Sequence, residues 1–394
     1  MQTDSKAVIS NYHDLVIIGG GPVGMALALA LHDSKISVTL LEARGLPEKT
    51  EDTRPLALSH SSRLILQRLG VWNELPGVTP ITTIHISNRG GFGRTLLTAH
   101  DVNVPALGYV VNHHDLFRSL HKRLRDSSVN YLTEAQVTHL ETTVENGRVE
   151  FQHTGALKQA IARLLVLADG GRLATQIEGV TQYTQDYKQW AIVTHIKTSL
   201  PQCGRAYERF TPDGPVALLP MGKYFALVWT VSSSVAQEIL NLDDTTFLTR
   251  LYEHFGDRLG KFIGVGKRSS FPLILKYVTP ITAQRIALIG NAAQTLHPVA
   301  GQGFNLGLRD AWELANEIIV EPVKMGTPAM LSKYNHKRQI DRRAGRIFTD
   351  SLVKIFSNDI PGLRSMRGIG LSVLDCMPLI KRSVTRRMIF GTKS

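Results

Sequence analysis

The chain has 394 residues, with 45 Lys and Arg against 33 Asp and Glu, for a formal charge of +12 with histidines neutral. That length supports two or three domains whose cores need no covalent staple. Apolar residues at 43% and charged residues at 20% exclude a disordered chain, and two cysteines, Cys203 and Cys376, exclude a disulfide scaffold or a paired-cysteine metal knuckle.

The first 14 residues lack a basic region feeding an apolar core, so no secretion signal is expected and a reducing compartment is. Between Asp14 and His32 lie 17 uncharged residues, LVIIGGGPVGMALALAL. This run is short for a membrane span, and its glycines and proline would interrupt a helix. It reads better as a buried strand (Leu15 to Ile18), a turn with Gly19, Gly21 and Gly24 in G-x-G-x-x-G spacing, and a helix. A second strand, ISVTLLE, ends at Glu42. In such a unit Gly19 permits the turn, Gly21 lets the backbone approach a pyrophosphate, and Gly24 lets helix and strand pack closely. The helix N-terminus offers free N–H groups, and Glu42 can accept from a ribose diol. From this motif FAD, NAD and NADP all stay open, with Glu42 disfavouring a 2′-phosphate.

Further along, Ser59 is placed to cap a helix that turns Leu64, Ile65, Leu66 and Leu69 inward and ends at Gly70. Arg54 precedes it in a polar, turn-prone segment. Ile81 to Ala99 has the content of a hairpin, and the segment from Asp115 has helical spacing at Leu116, Leu120 and Leu124. Asn146–Gly147 is expected to turn a second hairpin. Ile161 to Ala168 is another buried strand, closed by Asp169-Gly170-Gly171. From about Trp190 to Phe271 strand-like pieces predict an antiparallel sheet with one helix near 243–255, a candidate substrate domain.

Ile286 to Gly290 repeats the short apolar strand ending in glycine. After it, Gly301 and Gly303 open a helix with Phe304, Leu308, Ala311, Trp312, Ala315, Ile318 and Ile319 on one face. The 14 histidines show no metal-ligand spacing, and no serine sits in a nucleophile elbow. A redox cofactor is the economical source of chemistry, held by segments far apart in sequence.

Three segments, Gly19 to Gly24, Ala168 to Gly171 and GNAAQTLHPVAGQGFNLG at 290–307, resemble those of the FAD-dependent aromatic-ring hydroxylases, the class A flavoprotein monooxygenases. RAYERFTPDGPVALLP at 205–220, LGKFIGVGKRSSFPL and TDSL at 349–352 are similar to the hydroxylases of ubiquinone biosynthesis. The resemblance covers essentially the whole chain. It implies an α/β fold (α+β overall), with a Rossmann-like FAD-binding domain and an inserted antiparallel-sheet substrate domain. The expected division is 11–80, 100–185 and 280–335 for FAD, 81–99 and 186–279 for substrate, and 336–394 as a C-terminal helical region.

Carried residue by residue, the resemblance implies Gly19, Gly21 and Gly24 at the pyrophosphate and Glu42 at the adenosine ribose. Arg44 and Arg54 lie near the cofactor, Arg54 on the flavin side. Val137 lines the adenine, and Asp169 and Gly170 make the second FAD contact. Gly301, Gly303 and Asn305 surround the isoalloxazine ring, with His297 and Pro298 facing the substrate. Positioning roles in catalysis fall to His297, Pro298 and Arg54, and a histidine that merely caps the loop is the other reading of His297. Two departures stand out. Asn291, meeting the flavin ribityl, replaces the Asp of most relatives, as in the ubiquinone-pathway subgroup, and Ala174 replaces a usual Ser.

The implied reaction uses FAD, NAD(P)H or another electron donor, and O2, and proceeds through a C4a-hydroperoxyflavin. It hydroxylates a polyprenylated phenol, with 2-polyprenyl-6-methoxyphenol the expected substrate. Another ring position in the pathway, a flavoprotein of different chemistry and a non-catalytic scaffold of a quinone-synthesis complex are the alternatives. No nucleic-acid-binding signature occurs.

From Pro361 to the end, Arg364, Arg367, Lys381, Arg382, Arg386, Arg387 and Lys393 face one acid, Asp375. They interleave with Leu363, Met366, Leu371, Leu374, Met377, Ile380, Val384, Met388 and Ile389. Packing on the core, peripheral contact with an anionic membrane and contact with other ubiquinone-synthesis proteins are all compatible with that pattern. The expected location is cytoplasmic, on the inner-membrane face of a bacterium.

Overall fold

The apolar run after Asp14 forms the strand Tyr12–Ile18, with Leu15 to Ile18 fully buried. It lies parallel between Val38–Leu41 and Ala156–Leu167, and a strand covered on both faces has no polar side to alternate with. The computed structural model describes residues 12–45, 54–356 and 363–391; residues 46–53 of the polar segment before Arg54 lie outside them. Helix α1 (Pro22–Leu31) makes the crossover between the first two strands. The sheet runs in the order Thr282–Ala283, Ile286–Leu288, Ala156–Leu167, Tyr12–Ile18, Val38–Leu41, Asn130–Leu132.

Helix α2 (His60–Arg68) starts at Ser59, whose Oγ accepts from the Ser62 N–H at 3.2 Å. Ile65, Leu66 and Leu69 turn inward, but Leu64 is exposed because it lies a quarter turn off that stripe. Helix α3 (His113–Arg125) buries Leu116, Leu120 and Leu124. The hairpin of Gln136–Thr142 and Gly147–His153 turns earlier than expected. Thr143 N–H donates to the Asn146 carbonyl at 2.8 Å, and Gly147 is already strand. A Cβ on Gly147 would stand 2.6 Å from Leu165, so close packing is what needs the glycine. The two-residue turn with left-handed backbone is Thr154–Gly155, at φ 52° and 78°.

The second sheet has nine strands. Gln294–Thr295, Ser269–Thr279, Thr181–Thr198, Tyr224–Ser232, Gly214–Met221, Arg205–Thr211, Thr83–Asn88 and Arg94–Thr98 follow one another, and Phe262–Val265 pairs beside Thr181–Thr198. Pairings are antiparallel except Arg205–Thr211 against Thr83–Asn88. One face packs Phe225 and Trp229 on helices α4 (Ala236–Asn241) and α5 (Asp244–Phe255). The other face is turned toward the first domain.

Helix α6 (Gln302–Val320) buries Leu308, Ala311, Ala315 and Ile318, while Ile319 is exposed, one position past the stripe. The long helix α7 (Pro328–Phe356) is locked to α6 by buried charge. Arg338 Nε donates to Asp310 Oδ1 at 2.7 Å, and Asp341 Oδ2 accepts from Arg338 Nη1 and Arg309 Nε at 2.8 Å each.

Helices α8 (Leu363–Cys376) and α9 (Pro378–Phe390) complete the chain. Leu371 and Ile389 pack into apolar clusters against the second sheet and the Leu97–Leu107 region. The tail is less uniformly basic at its surface than its composition suggests. Arg367 is buried, and Lys381 is held near Asp375 Oδ1 at 3.6 Å and Asp101 Oδ2 at 3.8 Å. Lys393 and the side chains of Leu363 and Arg364 lie outside the described residues.

Candidate functional site

Each glycine of the first loop has a different steric reason. Gly19 sits at φ +112°, and a Cβ there would be 2.5 Å from the Ala168 carbonyl oxygen. At Gly24 a Cβ would be 2.0 Å from the Gly19 oxygen, so these two allow the turn and the helix–strand contact. A Cβ on Gly21 would meet nothing within 4 Å among the described residues. Gly21 is the N-cap of α1 and supplies no side chain to its first-turn N–H groups, an arrangement suited to a phosphate.

Glu42 closes the far end of this unit. Its Oε2 accepts from Gly20 N–H at 2.7 Å, and Oε1 accepts from Arg44 N–H and Nε at 3.0 Å each. Arg44 is thereby tied to Glu42 with its side chain largely in solvent. The Tyr131 hydroxyl is buried without a hydrogen-bond partner among the described residues, and burial, then the nearby Glu42 charge, pushes its pKa up to about 12. Next to these residues Gly19, Leu41, Val137, Asp169 and Arg172 line a cavity of about 330 Å³. The Asp169 carboxylate accepts from Gly171 N–H at 2.9 Å and Leu173 N–H at 2.8 Å, which shapes the turn. Gly170, at φ +77°, has open space where a Cβ would be.

A larger cavity of about 880 Å³ lies between the two sheets and the C-terminal helices. Gly21, Arg54, Gly170, Asn291, Pro298, Gly301 and Gly303 face it from the first domain. Ile84, Val193, Phe210 and Leu219 face it from the second sheet, and Leu352, Leu371 and Met388 from the helices. The structure thus brings together most of the residues expected from sequence, in two adjoining cavities.

Two expected residues act differently. The Asn305 amide donates to the Ala57 and Gly301 carbonyls at 2.9 and 2.7 Å, and its oxygen accepts from Ser59 N–H and Ser62 Oγ at 2.8 and 2.6 Å. With both ends engaged, it clamps the loop to α2 rather than reaching a ligand. His297 was expected to face the substrate, but it is 1% exposed and does not line the cavity. Its Nδ1 accepts from Val299 N–H at 3.2 Å, and its ring stands edge-on to Tyr187. Burial lowers its pKa to about 4, so at neutral pH it is an uncharged loop cap while Pro298 and Val299 face the cavity.

Two residues escaped the sequence reading. Asp310, fully buried, accepts from Gly290 N–H at 3.2 Å and so positions the turn that presents Asn291. Its signal was a carboxylate on the apolar stripe of a helix, between Leu306 and Leu314. Glu208 lines the large cavity, and burial pushes its carboxyl up to about 7. It lies in the segment 205–220 that carries part of the resemblance, but nothing in that segment shows which face of the strand its side chain takes.

A family model for an FAD binding domain matches residues 12–345. The ubiquinone hydroxylase UbiL of Rhodospirillum rubrum is 34% identical, with 95% of this chain and 88% of that one covered. The 3-demethoxyubiquinol 3-hydroxylase of Escherichia coli is 27% identical over 95% of this chain and 97% of its own. Among solved structures, p-nitrophenol 4-monooxygenase PnpA from Pseudomonas putida DLL-E4 matches with a TM-score of 0.77 at 15% identity, covering 96% of this chain and 98% of that one. The fold is that of the class A monooxygenases, a Rossmann-type FAD domain with an inserted β-sheet substrate domain.

Proposed function

This chain belongs to the FAD-binding family of ubiquinone hydroxylases, and from that premise we propose that it hydroxylates the aromatic ring of a polyprenylated phenol in ubiquinone biosynthesis. The chemistry is that of an FAD-dependent monooxygenase. Bound FAD supplies the redox and oxygen-activating chemistry, with NAD(P)H or another donor as reductant and O2 as co-substrate. The N–H groups at the start of α1, opened by Gly19, Gly21 and Gly24, hold the pyrophosphate. Glu42, steadied by Arg44, receives the ribose, Val137 lines the adenine, and Asp169 and Gly170 shape the second contact. Asn291 meets the ribityl chain. Arg54, Gly301 and Gly303 bound the ring site, which Asn305 and His297 hold in shape from behind.

The observation that carries this reading is one cavity with a glycine-faced wall on one side and an apolar wall on the other. The apolar wall orients a ring and its isoprenoid tail and keeps water away from the reacting atoms. We expect 2-polyprenyl-6-methoxyphenol as substrate. The test supplies FAD-loaded protein with reductant, O2 and a set of methoxy- and demethoxy-prenylphenols, and identifies products by mass. A product one oxygen heavier from the methoxyphenol supports the assignment. The same product only from another member of the set moves the ring position, and none from any member favours the non-catalytic scaffold or another flavin chemistry.

A peripheral contact with an anionic, cytoplasm-facing membrane is part of the same proposal, with other ubiquinone-synthesis proteins as further partners. Met366, Ile369 and Val373 form an exposed apolar stripe along α8, at spacings of three and four residues, continued by Met377 just past its end, and Leu379 beyond it is 81% exposed. Arg382, Arg386 and Arg387 are exposed on α9. Among the described residues, no helix is long and apolar enough to cross a membrane.

A further inference from the structure

Among the described residues lining the large cavity, Glu208 is the one carboxyl group. It lies on the strand Arg205–Thr211, where alternation sends Ala206, Glu208 and Phe210 toward the cavity. Arg209 turns the other way, its Nε donating to the His254 carbonyl at 3.2 Å. The residues paired with Glu208 on the neighbouring strands are Ile86 and Ala217, both apolar and both on the cavity wall. No hydrogen bond or ion pair joins the Glu208 carboxyl to any described residue, and its partial exposure opens onto the cavity.

A carboxyl group in that position works against stability. Burial without a partner costs free energy, and a Leu or Val would suit the wall better. What it can offer is a directed proton acceptor facing the ring site. We propose that Glu208 is the residue that receives the phenolic hydroxyl of the substrate, accepting its hydrogen bond and taking its proton as the ring is oxidised. This rests on the phenol reading of the cavity given above. In the transfer the phenol O–H bond breaks and a carboxylic O–H bond forms. The electron pair stays on the phenolate oxygen and enriches the ring carbons that must meet an electrophilic oxygen.

Burial brings the carboxyl to about 7, nearer a phenol at roughly 10 than an ordinary glutamate near 4, so the transfer is less uphill. The other ionisable residues on the cavity wall, among the described residues, are Arg54, His113, Arg367 and Tyr207, whose ring packs on Phe225 and Phe255. His297, the alternative acceptor, lies off the wall, already accepts from Val299 at Nδ1, and is held neutral by burial.

Glu208→Gln keeps the size and loses the acceptor charge, and Glu208→Asp keeps the charge on a shorter arm. In FAD-loaded protein, kcat of the wild type should rise with pH through about 7. The Gln variant should lose that limb and roughly 100-fold in kcat, with KM changed by less than about threefold, and Asp should restore part of both. A folded, FAD-loaded Gln variant that keeps the limb and the wild-type kcat overturns the assignment.

A binding measurement separates this from failure of the hydroxylase reading, because it needs no turnover. The probe is 4-nitrophenol, followed by its phenolate absorption band when bound. If Glu208 and the probe share one proton, the band of the bound probe stays partial and nearly flat across neutral pH in the wild type. In Glu208→Gln it should titrate as a single group. Identical titrations in the two proteins overturn the proposal, whatever the hydroxylation assay shows.

Discussion

The two walls of the large cavity are made in opposite ways. The wall from the first domain is shaped by missing side chains, with Gly21, Gly170 and Gly303 each facing open space. The wall from the second sheet is shaped by side chains that are present, Ile84, Val193, Phe210 and Leu219 around Glu208. Backbone N–H groups suit a cofactor with fixed phosphates, which every molecule of the enzyme must hold alike. Side chains suit a substrate, which is selected by shape and by a few placed polar contacts.

The largest effects should come from the first wall, and they should differ in kind. Gly24→Val places a side chain where even a Cβ would be 2.0 Å from the Gly19 oxygen, so backbone must move. We expect little folded protein, by circular dichroism and thermal melting. Gly21→Val enters space that no atom of the described residues occupies, so the variant should fold and melt like the wild type yet lose FAD on desalting. A Gly21→Val protein that keeps its FAD, or one that fails to fold, breaks the contrast between structural and cofactor-facing glycines.

The same contrast explains what could be read in advance. The glycine wall was legible because its requirements are local: a strand ending in glycine, a tight turn and a helix start leave a short, regular trace. The clamps behind it were not. Asn305 bonds Ser59 across 246 positions, and Asp310 reaches Gly290 across 20, so their partners emerge only once the chain is folded. His297 shared its loop with Pro298, and only the Nδ1 contact to Val299 shows its ring turned inward. On the opposite wall Glu208 was hidden by strand alternation, because register decides which of two faces an acid points to. The Asn146–Gly147 misreading has a similar cause. A glycine demanded by Leu165 packing looks, in sequence, like one demanded by a turn.

The C-terminal helices add a third surface, where a smaller effect can be resolved. Arg382, Arg386 and Arg387 are exposed on α9, whereas Lys381 is flanked by Asp101 and Asp375. Replacing the three arginines with Gln should weaken binding to anionic vesicles by at least about tenfold, since each basic residue near such a surface contributes roughly 1 kcal/mol. The wild-type affinity should fall as salt rises. Hydroxylation of a short-tailed, water-soluble phenol should be spared. Lys381→Gln should leave vesicle binding nearly unchanged and lower the melting temperature instead. Equal sedimentation of the triple variant and the wild type at low and high salt would assign this face to a protein partner or to packing.

The smallest expected effect sharpens the first wall at Asn291, a polar side chain that carries no charge. Asn291 is exposed toward the cavity and makes no side-chain hydrogen bond to a described residue, so the protein itself does not require an amide there. Its backbone position is set independently, by Asp310 bonding the preceding Gly290. Asn291→Asp keeps the length and the acceptor oxygen, loses the N–H donor and adds a charge. A ribityl hydroxyl can donate to either side chain, and the charged acceptor makes the stronger hydrogen bond. Against that gain stands the cost of a charge beside the turn that Asp169 shapes through Gly171 and Leu173, where a Cβ on Gly171 would be 3.6 Å from the Asn291 carbonyl oxygen. The two terms oppose each other, so FAD affinity, measured by flavin fluorescence on titration, should change by no more than about tenfold, roughly 1.4 kcal/mol. A larger loss would mean that the amide donor itself contacts the cofactor, and the first wall would then read its ligand through a side chain as well as through backbone.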